Sequence, residues 1–413
     1  MNFVTKSVWS GMSGSNRLSD KWTVAAEHGA YVRFMDGKEC LDANSGLWNV
    51  SLGYGHPAVR EAIVASLDAF GYAGQFRRSS TIAEEFTQAL LALWPDNIFD
   101  RVLFATSGSA ANDLVMKLAR LWADYSAASE KQLMASFTGS YHGQTFGALG
   151  LSDEYLMQSH FLSSDASRYR RLSRDNAVQV AESLDRWGDR LAAVFIEPVQ
   201  GTGNRSIPTD VLDAVFAARN RHGFLIVADE VATGFGRTGV MMRSSLWSES
   251  PDIVVVSKAL TNGTSAMSCV LCSPRVSEEF VAAGRVFPHG ETQAGSAVSC
   301  AAALGVLRAY RDEFEMTTVS SKYPAAGKLR KCLTELQLER RGITVRGEGN
   351  FMTVDLPEAV TGATPVEDLR EEGLIVHGGE AGMQLAPPLV LESADWDRLT
   401  ETLDDYLRHI LGE

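Results

Sequence analysis

Apolar positions along the middle of the chain come in short unbroken runs, not at every second residue. "RVLFA" from Arg101, "LMASF" from Leu133, "AAVFIEP" from Ala192, "FLIVADE" from Phe224, "DIVVVSK" from Asp252 and "SCVLC" from Ser268 are each five to seven residues long. Runs of this kind belong to strands covered on both faces. Between the third and fourth lies "TDVLDAVFAARNRHG", with Val211, Leu212, Val215 and Phe216 at helical spacing, Thr209 in the N-cap place and Gly223 just past the end. That pattern predicts an amphipathic helix. Alternating strands and helices give an α/β fold, a mostly parallel sheet with helices on both faces, in which ligands collect beyond the carboxyl ends of the strands. Glu197, Asp229, Glu230 and Lys258 all fall at that edge.

After about residue 295 the pattern changes. A long helical stretch, "SAVSCAAALGVLRAYRDEF", leads to short pieces ("ITVRG", "FMTVDL", "LIVHG", "MQLAPP") and a closing amphipathic helix from about Asp395. Together these predict a smaller α+β domain. Near the start, "YVRFMDGKECLDA" predicts a hairpin around Asp36-Gly37. The expected organisation is an N-terminal segment, 1–52, packing with the small domain; a large sheet domain, 53–295; and the small C-terminal domain, 296–413.

Composition narrows the partners. The 413 residues carry a net charge of −13, with no Lys/Arg-rich run, so nucleic acid and anionic membrane surfaces are poor partners. The N-terminus lacks the basic-then-apolar order of a secretory signal, and no stretch has the length of a membrane span, so a cytoplasmic protein is expected. Five scattered cysteines fit a reducing compartment. Cys269 and Cys272 form a lone C-x-x-C inside a strand-like run with no second ligand pair, so no metal site is expected.

The chemistry begins at "LIVADEV", where a covered strand ends on two carboxylates. An ionised carboxylate there needs a positive partner, and no cation follows in the sequence before Arg237. The partner can be a molecule that the chain does not encode. In "TSGSAANDLVMKLARLW" a strand ends, Ser107-Gly108-Ser109 turns, and a helix begins whose apolar face is Ala111, Leu114, Val115, Leu118, Leu121 and Trp122. Hydroxyls and free N–H groups at a helix start make a phosphate cradle. A capped helix without a ligand explains the same residues, and the stretch is neither a Walker loop nor a dinucleotide fingerprint.

Lys258 follows four apolar strand residues. It reads either as a solvated rim lysine or, because it shares an edge with Asp229, as an amine whose pKa is lowered by burial and neighbouring cations so that it can react with an aldehyde. One molecule meets all three needs. Pyridoxal 5′-phosphate brings a phosphate to the helix start, an aldehyde to Lys258 and a pyridine nitrogen to Asp229, whose charge keeps that nitrogen protonated.

In order along the chain, "DANSGLWNVSLGYGHP", "SGSAAND", "GSYHG", "EPVQG", "DEVATGFGRTG", "PDIVVVSKALTNG" and "HGETQAGSAVSCAAA" resemble the class III (ω-type) aminotransferases, with Asp229 and Lys258 separated as that family places them. The resemblance implies the transferase fold type I, with a seven-stranded, mostly parallel sheet and a smaller α+β domain. It also implies the activity: an amino group moved from an amine or amino acid donor to a carbonyl acceptor by a ping-pong cycle through pyridoxamine phosphate. By the same resemblance Lys258 is the Schiff-base lysine and proton carrier, and Asp229 pairs with the pyridine nitrogen. Tyr141 and Val231 take the two ring faces, and Ser107, Gly108 and Ser109 hold the phosphate. His142 and Glu197 lie near the ring and its phenolic oxygen. Thr292 reaches the phosphate of a neighbouring subunit, which makes the protein an obligate homodimer. Trp9, Trp48 and Tyr54 are implied substrate walls, while Arg237 and His56 are given structural parts.

The sequence departs from the family at Ala110, where many members carry glutamate, and at Asn204, where glycine is common. It departs more tellingly in "GLIVHGGEAGMQLAPPL", a region in which several relatives, diaminopelargonic acid aminotransferases among them, place a carboxylate-binding arginine and His377 stands near that place. Losing a fixed guanidinium removes bidentate carboxylate recognition. The expected acceptor is therefore a ketone or aldehyde without an adjacent carboxylate, such as a biosynthetic intermediate or a modified peptide. Other readings stay open: a diaminopelargonic-acid-type or ω-amino acid:pyruvate aminotransferase; a mutase, decarboxylase or lyase using the same cofactor; and a non-catalytic binding protein on the same fold.

Overall fold

The computed structural model describes residues 20–95, 98–153, 166–281, 283–336, 338–358, 360, 364–379 and 382–413. Its centre is a seven-stranded sheet made, in chain order, of β1 (Arg101–Ala105), β2 (Leu133–Phe137), β3 (Tyr169–Leu172), β4 (Leu191–Ile196), β5 (Leu225–Asp229), β6 (Ile253–Val256) and β7 (Ser268–Cys272). Across the sheet the order is β1-β7-β6-β5-β4-β2-β3. Only β7 runs against its neighbours. The register that pairs Asp229 with Val255 brings the ends of β5 and β6, and so Asp229 and Lys258, to one edge.

Six of these strands coincide with the apolar runs. The remaining one, β3, reads "YRRL" and carries no apolar run because it lies at the sheet's margin, where only Leu172 is buried. Alternation along β5 feeds two layers. Leu225 and Val227 pack with Leu114, Val115, Leu118 and Trp122 of the helix Gly108–Tyr125, whereas Ile226 packs with Val211, Val215 and Phe216 of the helix Thr209–His222. The second helix corrects one expectation. Its N-cap is Pro208, in extended backbone, and Thr209 is already helical, while Gly223 ends it in the left-handed region at φ 76° as expected.

The N-terminal hairpin forms, with Tyr31–Phe34 against Glu39–Asp42. Glu39–Asp42 then pairs in parallel with Leu374–Ile375, so the first and last parts of the chain share a four-stranded sheet. Leu41 and Ala43 sit in one core with Met352, Leu385, Trp396, Leu399 and Leu403. The closing helix runs Ser393–Leu411, slightly earlier than expected, because Glu392 and Asp395 form a reciprocal capping box.

Arg237 joins these parts. It is 1% exposed and has no carboxylate partner among the described residues. Its Nη1 donates to the carbonyls of Pro387 at 2.6 Å and Asn350 at 3.4 Å, and its Nη2 to the hydroxyls of Ser45 at 3.1 Å and Ser51 at 3.0 Å. Burial pulls its pKa down to about 10. The turn after β5 is thus fastened to the N-terminal segment and to the C-terminal strands by one planar fork. A lysine cannot span both sets of acceptors. Arg237→Lys is expected to lower unfolding stability by about 2 kcal/mol, the cost of leaving buried acceptors unpaired. Urea unfolding followed by tryptophan fluorescence checks this, and an unchanged midpoint would show that a point charge suffices.

Candidate active site

Asp229 ends β5 with 3% exposure. Its Oδ2 accepts from His142 Nδ1 at 2.7 Å and from Asn112 Nδ2 at 2.9 Å, and its Oδ1 accepts from the Val231 backbone N–H at 3.2 Å. Asn112 also donates to the His142 carbonyl at 2.7 Å, so one amide fixes both the carboxylate and the loop that carries the imidazole. Glu230, one residue on, points to the other side of the sheet. It accepts from the Ser244 backbone N–H at 2.5 Å and pairs with the Thr233 hydroxyl. The two adjacent carboxylates therefore divide, Asp229 to the cavity and Glu230 to a turn.

Lys258 follows β6 and sits at φ 47°, a left-handed conformation that L residues avoid, and it lines the same cavity as Asp229. Its amine makes no hydrogen bond or ion pair among the described residues; it lies 4.3 Å from the centroid of the Trp48 indole. Burial pulls its pKa down to about 8, with Asp229 and Glu197 opposing and Arg237 assisting. Desolvation, more than the neighbouring cations expected from the sequence, is the dominant cause.

Glu197 is also buried, and its oxygens accept from the backbone N–H groups of Tyr141 at 2.8 Å and Gly201 at 2.9 Å. Its pKa is pushed up to about 7, first by burial and then by Asp229, with His142 opposing.

Trp48 is delivered by an unusual piece of backbone. Ser45, Gly46, Leu47 and Trp48 all have positive φ, between 51° and 67°. A left-handed turn costs L residues roughly 1–2 kcal/mol each. The surroundings offset it: Asp42 accepts from the N–H groups of Asn44 at 2.8 Å and Gly46 at 2.7 Å, Asn49 Nδ2 donates to the carbonyls of Gly46 and Leu47 at 3.0 Å, and Ser45 Oγ donates to the Ala386 carbonyl at 2.6 Å. The indole packs edge-on against Phe351 and His377 at centroid distances of 5.0 and 5.8 Å.

These groups enclose a cavity of about 300 Å³. Ser107, Gly108, Ser109, Tyr141, His142, Glu197, Asp229, Val231, Lys258 and Trp48 all line it, so most of the residues singled out from the sequence meet in one place. Four do not. Tyr54 lies outside the lining, its hydroxyl donating to Asp42 at 2.6 Å; His377 stands behind Trp48; Thr292 is exposed, its carbonyl accepting from the Tyr72 hydroxyl. Trp9 lies outside the described residues.

The donor set fits pyridoxal phosphate. Ser107 caps the helix Gly108–Tyr125 by accepting from Ala110 N–H, and that helix carries no acid in its first turn. A Cβ on Gly108 would stand 3.0 Å from Val231 Cγ1, and one on Gly143, at φ 127°, would stand 2.3 Å from Ser109 Oγ, so any side chain at either place would fill the cradle. Sequence reasoning missed Gly143, Asn112 and Thr106. Asn112 had a signal: an amide embedded in the apolar face of the helix, three residues after Ser109.

Comparison with known proteins agrees with this chemistry. The aminotransferase class-III family matches residues 15–407. The chain is 28% identical to the omega-aminotransferase of Caulobacter vibrioides over 94% of this chain and 93% of that protein. It is 30% identical to the acetylornithine aminotransferase of Myxococcus xanthus over 92% of each. Among solved structures, an (S)-enantioselective omega-transaminase from Thermomicrobium roseum superposes with a TM-score of 0.85 at 28% identity, covering 94% of this chain and 93% of that one. With a whole-chain family match, a fold type I architecture and a cavity that joins a lysine, a carboxylate and an anion cradle, the protein belongs to the class III aminotransferases, pyridoxal-phosphate-dependent enzymes.

Proposed function

We propose that this aminotransferase carries an amino group from an amine or amino acid donor to a ketone or aldehyde with no carboxylate beside its carbonyl, in a ping-pong cycle. One observation carries the reading: no arginine lines the cavity among the described residues. Two fully buried guanidiniums are committed elsewhere. Arg237 is spent on Pro387, Ser45 and Ser51, and Arg370 on Asp36 at 2.5 Å and on the rings of Trp22 and Phe34. His377, standing near the place where several relatives carry a carboxylate-binding arginine, has its pKa lowered by burial and then by Lys258. A biosynthetic intermediate or a modified peptide has the required chemistry. No helix among the described residues is long and apolar enough to cross a membrane.

When bound, pyridoxal phosphate supplies an aldehyde for the donor amine and a ring that stores the electron pair left as the donor's α-proton departs. The chain's own groups do the rest in this reading. Ser107, Gly108 and Ser109 bind the phosphate, and Thr292 reaches that of the partner subunit. Tyr141 and Val231 hold the ring from its two faces, and Asp229 faces its nitrogen. His142 and Asn112 fix the orientation of Asp229. Lys258 would hold the aldehyde, and its Nζ would carry the proton. Glu197 would stand near the ring and its phenolic oxygen. Trp48 screens the Lys258 amine from water on the substrate side. Homodimer formation is supported by Tyr72, Phe76, Phe146 and Val286, large apolar side chains that are 39% to 74% exposed.

Three outcomes test this. Capture of the cofactor needs the unprotonated amine, so the rate at which apoprotein binds pyridoxal phosphate covalently should rise about tenfold per pH unit up to about 8 and level off above it, read by absorbance; Lys258→Ala should abolish both that signal and turnover. Asp229→Asn, which keeps the hydrogen bond from Asn112 but removes the charge, should lower kcat by about 100-fold or more, in the range of other electrostatic catalytic groups. Simple ketones should be used with higher kcat/KM than α-keto acids, and His377→Arg should raise the α-keto acid value by about tenfold, as a new charge-assisted pair would. An α-keto acid preferred by the unaltered enzyme, and indifferent to His377→Arg, would end the substrate reading.

A further inference from the structure

The phosphate cradle has an unexpected neighbour. Glu291 Oε2 accepts from the Thr106 backbone N–H at 3.1 Å and also pairs with the Thr106 hydroxyl. Thr106 lines the cavity and directly precedes Ser107-Gly108-Ser109. A carboxylate is therefore bound to the threshold of a site built for an anion, and no lysine or arginine other than Lys258 lines that cavity among the described residues. Left alone, this negative charge would oppose a phosphate.

It is not left alone. His289 Nε2 lies 3.8 Å from Glu291 Oε1, and both are buried polar atoms without a hydrogen-bond partner among the described residues, so each orphan faces the other. On the far side of the ring, His289 Nδ1 lies 2.5 Å from Lys117 Nζ. An ammonium has no lone pair to offer, so Lys117 must donate and Nδ1 must accept. The ring proton is then on Nε2, turned toward Glu291. Burial, followed by Lys117, also lowers the His289 pKa, which agrees with a neutral ring. Lys117, His289 and Glu291 form a line that ends at Thr106, and the same loop carries Thr292, anchored through its carbonyl by Tyr72.

We propose that Glu291 is a positioning residue that sets how tightly the cradle holds the cofactor's phosphate: its carboxylate fixes Thr106, and the Lys117 ammonium, acting through His289, offsets the charge this brings beside an anion. The inference rests on the phosphate lying at Ser107–Ser109. It gives the loop two tasks at once, holding its own subunit's cradle through Glu291 while presenting Thr292 outward.

Equilibrium dialysis of the apoprotein against pyridoxal phosphate tests it without recourse to turnover. Glu291→Gln keeps an acceptor for the Thr106 N–H but removes the charge, and is expected to lower the Kd about tenfold. Lys117→Met is expected to raise it about tenfold in the unaltered background and by less than half as much, in free-energy terms, on the Glu291→Gln background, because the charge to be offset is gone. Ser109→Ala separates the two layers. If it leaves the Kd unchanged, the phosphate lies elsewhere and the proposal falls with that placement. If Ser109→Ala weakens binding but Glu291→Gln leaves it unchanged or weaker, only the charge argument falls. Should Glu291→Gln not fold, as judged by circular dichroism, Lys117→Met decides alone, and an unchanged Kd overturns the proposal.

Discussion

An acid and an amine stand at the ends of strands buried on both faces, and in such surroundings the charged form of each is penalised. The structure treats them differently. Asp229 is given two donors from side chains and one from the backbone, so both its oxygens are hydrogen-bonded before any ligand arrives. Lys258 is given an indole face and no hydrogen bond among the described residues, so desolvation drives it toward the neutral amine. The same apolar sheet thus produces a fixed carboxylate and a nucleophilic nitrogen within one cavity. The difference lies in what the neighbouring helix and loops contribute, not in the strands.

Those loops are held by groups far from the chemistry. Arg237, buried without a counter-ion among the described residues, fastens the turn after Asp229 to Ser45, Ser51 and Pro387. Ser45 begins the left-handed turn that ends at Trp48, so one guanidinium stands behind both the acid's turn and the aromatic wall. Breaking the backbone's preferred handedness over four successive residues is tolerable because Asp42 and Asn49 pair with the displaced backbone groups and Ser45 is tied to the Ala386 carbonyl. The result is an indole held where substrate must pass. A comparable logic governs Gly108 and Gly143, whose lack of a side chain leaves space beside the helix start.

Strands that are buried throughout were legible because burial on both faces leaves no choice of residue: "LIVAD", "IVVV" and "LAAVFI" can be little else. The strand "YRRL" was not, since a marginal strand needs only one buried side chain and its neighbours tolerate arginine. The N-cap read at Thr209 shifted to Pro208 because a hydroxyl residue also suits the first helical turn, and local pattern does not separate the two. Asn112 escaped notice because its partner, Asp229, is 117 residues away.

The sequence by itself determined the α/β plan, the edge at which the reactive groups gather, and the lysine and carboxylate that characterise the family, because strand burial and a covalent chemistry each demand particular residue types at particular places. Only the tertiary structure decided which of two adjacent carboxylates faces the cavity, that Tyr54 serves Asp42 and not the cavity lining, and that Glu291 reaches Thr106. Those outcomes turn on side-chain direction and on contacts between distant segments. They are fixed by packing and hydrogen-bond satisfaction across the whole molecule, which no local window of residues contains.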